Sequence, residues 1–146
     1  MSVPRFTIHR CTWQDAEAQL RAIRTQVFIQ EQNVPEALEW DGEDAHAMHA
    51  LACDSAGRAI GTARLLLQHE LAHIGRMAVL PEWRGQGVGR ALLDEIMAAA
   101  QAHGARCAFL NAQTIAVPFY VRADFAVEGE EFLDAGIPHL RMTRSL

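Results

Sequence analysis

A chain of 146 residues and 16.2 kDa, half of it hydrophobic by a wide count, suffices for one domain, spanning 1–146, around a single core. Thirteen arginines stand against 18 acidic residues, a net charge of −5 with histidine neutral. The arginines are spread from Arg5 to Arg144 without a patch, which argues against a nucleic-acid partner. No apolar stretch reaches the roughly 18 residues of a membrane span, and no basic segment leads into an apolar one at the N-terminus. The expectation is a cytoplasmic protein with no membrane partner.

Residues Arg5 to Cys11 read as a first strand. Thr12 is a candidate N-cap, after which Trp13, Ala16, Leu20, Ile23 and Val27 recur at spacings of three and four and mark the buried stripe of a helix that frays near Gln30 to Pro35. Glu31 to Asp44 carries six acidic residues and no arginine and reads as an acidic loop. Ala45 to Cys53 and Ala59 to Leu67 are apolar runs joined by the turn-forming Asp54-Ser55-Ala56-Gly57, an antiparallel hairpin. A further strand runs from Leu71 to Leu80. Its alternation passes through Ala72 and Ile74 and resumes at Met77 and Val79 with changed parity, as a β-bulge at Gly75 and Arg76 requires; a strand buried on both faces is the other reading.

Gly87 to His103 has helical spacing closed by Gly104, and Arg106 to Asn111 reads as a strand. Ala116 to Ala123 forms a short helix with Pro118 in its first turn, and Phe125 to Phe132 and Leu140 to Arg144 are closing strands around Asp134-Ala135-Gly136. The order is that of an α/β domain with a mixed sheet. Cys11, Cys53 and Cys107 are odd in number and far apart, as reduced thiols are. His46 and His49 would face opposite sides of a strand, and His69 and His73 flank a turn, so no metal site is expected.

The segment with chemical content is Pro81 to Arg90, between the bulged strand and the long helix. Gly85, Gly87 and Gly89 let the backbone turn tightly and approach a ligand, and successive N–H groups at a helix N-terminus suit a pyrophosphate. A Walker loop is excluded because Gly89 is followed by Arg90 and Ala91, and a dinucleotide fingerprint because several strands precede it. A simple turn leading into a helix is the alternative.

Arg84-Gly85-Gln86-Gly87-Val88-Gly89 resembles the R/Q-x-x-G-x-G/A motif of the GCN5-related N-acetyltransferases (GNAT), and Ile74 to Leu80 resembles the strand before it. Gly61-Thr62-Ala63-Arg64-Leu65, Val27 to Gln32, Phe119-Tyr120 and Asp134 to His139 are similar to the ElaA-like branch. The resemblance implies a GNAT-like mixed, mostly antiparallel sheet flanked by helices with a bulged central strand. It implies acetyl-coenzyme A as co-substrate, its pyrophosphate on the N–H groups of Gly85, Gln86, Gly87, Val88, Gly89 and Arg90, next to Arg84. The pantetheine would lie along Met77, Ala78 and Val79, with an N–H near Met77 polarising the thioester carbonyl. Gln113 stands where many relatives carry a cofactor-contacting Asn, and Asp124 where a helix-ending Gly is usual, a left-handed position that Asp can adopt. Superfamily members are often dimers, so the resemblance admits a homodimer.

The same resemblance makes Tyr120 the acid for the departing thiolate and His139, at the start of the last strand, the base for a primary-amine acceptor, expected to be a small molecule. An ordinary imidazole is mostly neutral at pH 7 and can accept a proton. Glu31, Glu39 and Asp41 are rival bases, and the acidic stretch would either draw a cationic acceptor or form a solvated loop. A non-catalytic acetyl-coenzyme A sensor or subunit, and an interaction module without cofactor, are the competing readings.

Overall fold

The computed structural model describes residues 5–146. Seven strands form one sheet: β1 (Phe6–Thr12), β2 (Met48–Asp54), β3 (Ala59–Gln68), β4 (Leu71–Val79), β5 (Cys107–Gln113), β6 (Ala126–Asp134) and β7 (Ile137–Ser145), in the order β1-β2-β3-β4-β5-β7-β6. Every neighbouring pair is antiparallel except β4 and β5. The mixed, mostly antiparallel sheet expected from the sequence is therefore the observed one.

Thr12 caps helix α1 (Trp13–Arg24): its hydroxyl accepts from the Asp15 N–H at 3.2 Å, and the Asp15 carboxylate accepts from the Thr12 N–H. The whole stripe Trp13, Ala16, Leu20, Ile23 and Val27 is buried. In place of the expected fraying, the chain continues as a π-helical segment, Thr25–Glu31, followed by the short helix α2 (Glu36–Glu39). Val27 and Phe28 of the π-helical segment are both buried in the core.

Helix α3 (Val88–Ala102) packs on the opposite face from α1. Leu51 and Cys53 meet α1, whereas Gly61, on the other face of the hairpin, lies under Val88 and Leu92. A Cβ on Gly61 would come 3.0 Å from Leu92 Cδ1 and 3.1 Å from the Ala78 carbonyl oxygen, so only glycine lets α3 sit this close. Gly104 ends the helix at φ +85°, and Pro118 sits in the first turn of α4 (Val117–Val121). Asp124 takes φ +69°, the left-handed position foreseen for it.

The central irregularity is in β4. Thr62 pairs with Ala78 but Arg64 pairs with Gly75, so Arg76 and Met77 together face one residue of β3. This is the bulge that the parity change implied, and Arg76 carries it at φ +51°. Beyond it β4 and β5 part: they are paired only from Leu71–His73 against Cys107–Phe109.

Two boundaries read from the sequence are corrected. Asp44–His46 is a 3-10 turn, so His46 is not on a strand with His49; β2 starts at Met48, and His49 is buried with Nε2 3.0 Å from the Asp44 carbonyl oxygen. The β6–β7 connection is a two-residue turn, Ala135 at φ +52° and Gly136 at φ +77°, so β7 begins at Ile137 and His139 lies inside it, not at its start.

Candidate active site

The wedge between the parted strands opens into a cavity of about 670 Å³. It is walled by β4 from His73 to Val79, by β5 from Leu110 to Gln113, by the π-helical segment, by Leu38, Glu39 and Asp41, and by Tyr120, Asp134 and His139. Met77, Ala78, Val79, Arg84, Gln113, Tyr120 and His139 are thus brought to one cavity. Gly85, Gln86, Gly87, Val88, Gly89 and Arg90 lie beyond its Arg84 end and do not line it.

At that end Gly87 is the N-cap of α3 at φ +87° and offers no side chain to the first turn, so the N–H groups there have no side-chain cap. A Cβ on Gly85 or Gly87 would meet nothing within 4 Å. The loop therefore presents bare backbone to open space at the positive end of a 15-residue helix, a fit for a phosphate. Gly89 lies beside Phe119, where a Cβ would make an ordinary contact at 3.5 Å. Val88 is core, Gln86 donates to the Glu82 carbonyl, and Arg90 is bonded to Asp94 and to the Arg122 carbonyl, so these residues have only backbone groups or flexible tips to give a ligand.

Arg84 makes a two-pronged pair with Glu31 at 2.8 and 2.7 Å, and its Nε donates to the Val79 carbonyl at 3.0 Å. That pairing lowers the Glu31 carboxyl below its usual value. Gln113 Nε2 donates to Gln32 Oε1 at 2.8 Å, tying the end of β5 to the end of the π-helical segment.

Tyr120 is buried, with its ring edge-on to Phe119 and Phe125, and burial pushes its phenol up to about 12. It stays protonated over the physiological range and can donate a hydrogen bond. His139 is stacked on Phe132, and its Nδ1 lies 2.7 Å from the Ile137 carbonyl oxygen. A carbonyl only accepts, so Nδ1 carries the proton and Nε2 keeps its lone pair, the tautomer of a general base.

Within the acidic stretch Glu36 and Glu43 are exposed, as in a solvated loop, whereas Glu39, Asp41 and Asp44 are engaged by arginines. Arg24, 1% exposed, donates to Glu39 at 2.8 Å and to Asp44 at 2.7 Å; Arg64 donates to Asp41 at 3.0 and 2.9 Å and to Asp44 at 3.2 Å. Arg76 reaches from the bulge to Asp41, to the Glu39 carboxylate and to the Glu39 carbonyl. Three arginines thus pair with three carboxylates, of which Glu39 and Asp41 line the cavity. These pairings hold Asp41 down to about 2 against the cost of its partial burial, while burial raises Glu39 despite its arginines. Among the described residues no group of three or more His, Cys, Asp or Glu is placed to hold a metal ion, and no helix is long and apolar enough to cross a membrane.

The wedge between parted strands thus has a bare helix N-terminus beyond its Arg84 end and Tyr120 and His139 among its lining residues. A family model for the acetyltransferase (GNAT) domain matches residues 12–146, and the chain belongs to the GNAT superfamily, in its ElaA-like branch. The Bacillus subtilis N-acetyltransferase YjcF, itself uncharacterized, is 39% identical over 123 residues, covering 84% of this chain and 87% of that protein. The crystal structure of Escherichia coli ElaA superposes with a TM-score of 0.85 at 26% identity over 95% of this chain and 99% of that one. An acyl-CoA N-acyltransferase from Pseudomonas aeruginosa gives 0.84 at 29% identity over 95% and 99%. Acyl transfer is the chemistry of this family.

The residues that sequence reasoning missed are Thr62, Arg64 and Arg76. Thr62 and Arg64 stood in a quoted motif without a role, and their alternate positions on one strand were the available signal. Urea unfolding across pH tests the charge network. Asp41 has an ordinary carboxyl value of 3.8 and a folded value of about 2, so its contribution is complete above about 4 and disappears as pH falls toward 2. Asp41→Asn should flatten the stability loss over that window relative to wild type; an unchanged profile would mean that Asp41 is not held by its arginines.

Proposed function

We propose that the protein transfers the acetyl group of acetyl-coenzyme A to the primary amine of a small molecule. The observation that carries this reading is the wedge itself, where a bulged strand opens toward Tyr120 and His139 beside an uncapped helix N-terminus. The pyrophosphate rests on the N–H groups of the 85–90 loop. The pantetheine runs beside Met77 and Val79, whose backbone groups are turned from β3: Leu80 donates to Ile60, so the residues alternating with it face the wedge.

An amine with a pKa near 10.4 needs about 4.6 kcal/mol to lose its proton at pH 7. His139 Nε2 takes that proton as the amine nitrogen bonds to the thioester carbon and the carbonyl electron pair moves onto oxygen, where an N–H near Met77 meets it. When the pair returns, the C–S bond breaks and its electrons leave on sulfur. Tyr120 donates to that sulfur. Because burial makes its phenol a weak acid, its main contribution is a hydrogen bond to the forming thiolate, in a slot where the thiolate is itself poorly solvated. Products are the amide and free coenzyme A: the second proton of the tetrahedral nitrogen passes through water to replace the one on the thiol, and His139 releases the first to solvent.

Thiol release with an amine panel tests the activity. Tyr120→Phe should lower kcat by at least about tenfold with acetyl-coenzyme A affinity retained, and His139→Asn should abolish the acidic limb of kcat/KM. Thiol release unaltered by both changes would remove these assignments, and binding without release would make the protein a sensor. For the phosphate site, Gly87→Asn tolerates the left-handed backbone whereas Gly87→Asp adds a negative charge there. Coenzyme A affinity should fall at least about tenfold further for Asp than for Asn, about 1.4 kcal/mol; equal affinities would place the pyrophosphate elsewhere.

A further inference from the structure

The bulge leaves one peptide group with an unusual setting. Neither Arg76 nor Met77 has a register partner on β3, and the peptide between them is held by side chains instead. The Thr62 hydroxyl, on a residue 1% exposed, donates to the Arg76 carbonyl at 3.0 Å. In a trans peptide the C=O and the following N–H point in opposite directions, so this bond turns the Met77 N–H away from Thr62 and β3, toward the cavity that Met77 lines.

Arg76 itself sits at φ +51°, a conformation that costs a non-glycine residue roughly 1–2 kcal/mol unless its surroundings enforce it. Its guanidinium supplies the enforcement. One nitrogen donates to the Glu39 carbonyl at 3.0 Å and lies 3.3 Å from Asp41 Oδ2, and Nε lies 3.0 Å from Glu39 Oε2. Glu39 and Asp41 are in turn fixed by Arg24 and Arg64. The backbone strain at the bulge is thereby tied to the cavity wall that carries Leu38, Glu39 and Asp41.

We propose that Thr62 and Arg76 are positioning residues that aim the Met77 N–H at the thioester carbonyl oxygen, Thr62 by holding the peptide's carbonyl and Arg76 by locking its strained backbone to the 38–41 wall. The inference rests on the acetyl-transfer reading above and adds the parts that orient its oxyanion donor. Neither residue touches the reacting atoms. Their removal should therefore affect polarisation of the carbonyl and kcat, and leave the hold on the rest of coenzyme A intact.

The test uses acetyl-coenzyme A labelled with ¹³C at the thioester carbonyl and records its infrared band bound to the full chain, with kcat and coenzyme A affinity measured alongside. In wild type the bound band should lie below that of free acetyl-coenzyme A, as a hydrogen-bonded carbonyl requires. Thr62→Val should return the band toward the free position and lower kcat by about tenfold or more, with coenzyme A affinity within about twofold, and Thr62→Ser should restore both. Arg76→Leu, at a partly exposed side chain, should move the band in the same direction and gives the answer if Thr62→Val does not fold. A folded Thr62→Val or Arg76→Leu whose band and kcat match wild type would overturn the proposal while leaving the acetyl-transfer reading in place. Absence of acetyl-coenzyme A binding to wild type would overturn both.

Discussion

One inserted residue in β4 determines where chemistry can occur in this fold. A regular β4 would continue alongside β5 and their backbone groups would satisfy each other, leaving nothing for a ligand. With Arg76 in the left-handed region, pairing to β5 ends after His73, and the sheet opens into a wedge whose walls carry unpaired backbone groups. Residues distant in sequence then converge on that wedge: Tyr120 from α4, His139 from β7, Gln113 from β5, and Arg84 from the loop before α3. The superfamily to which the chain belongs performs acyl transfer, and the wedge is where this chain's sheet leaves backbone open to a ligand.

A second consequence concerns charge. The chain is acidic overall, and its densest acidic stretch lies against the cavity, yet Arg24, Arg64 and Arg76 consume Glu39, Asp41 and Asp44 in a largely buried network. Such a network adds little net stability over an apolar core, because desolvation of the ions offsets their attraction, but removing one partner leaves a buried charge uncompensated. Its value here is geometric. It fixes the 36–46 segment to β3 and to the bulge, so one wall of the cavity is rigid where a solvated loop would be mobile.

Features governed by local rules were legible in the sequence. The stripe from Trp13 to Val27, the Asp54–Gly57 turn, the left-handed Asp124 and the bulge at Gly75 and Arg76 each follow from spacing or from the conformational range of a single residue type. Features governed by distant partners were not. Nothing in a run of six acids discloses that three arginines from α1, β3 and β4 meet them, and a row of glycines does not disclose that Gly89 lies under Phe119 while Gly87 faces open space. The turn at Asp134-Ala135-Gly136 was legible and only its shortness was not, whereas the π-helical segment read as the fraying end of a helix. Met77, Ala78, Val79, Arg84, Gln113, Tyr120 and His139, all named from the sequence, line one cavity, whereas the pairing of Arg24, Arg64 and Arg76 with the acidic stretch was not legible there.

Amide hydrogen exchange with and without acetyl-coenzyme A tests the central claim, that the wedge opened by the bulge is the cofactor site. The account predicts slowed exchange in two separate segments, Gly85 to Arg90 at the start of α3 and Met77 to Val79 on β4, with β1 and β2 unchanged. Protection confined to other segments, with none in β4, would contradict it.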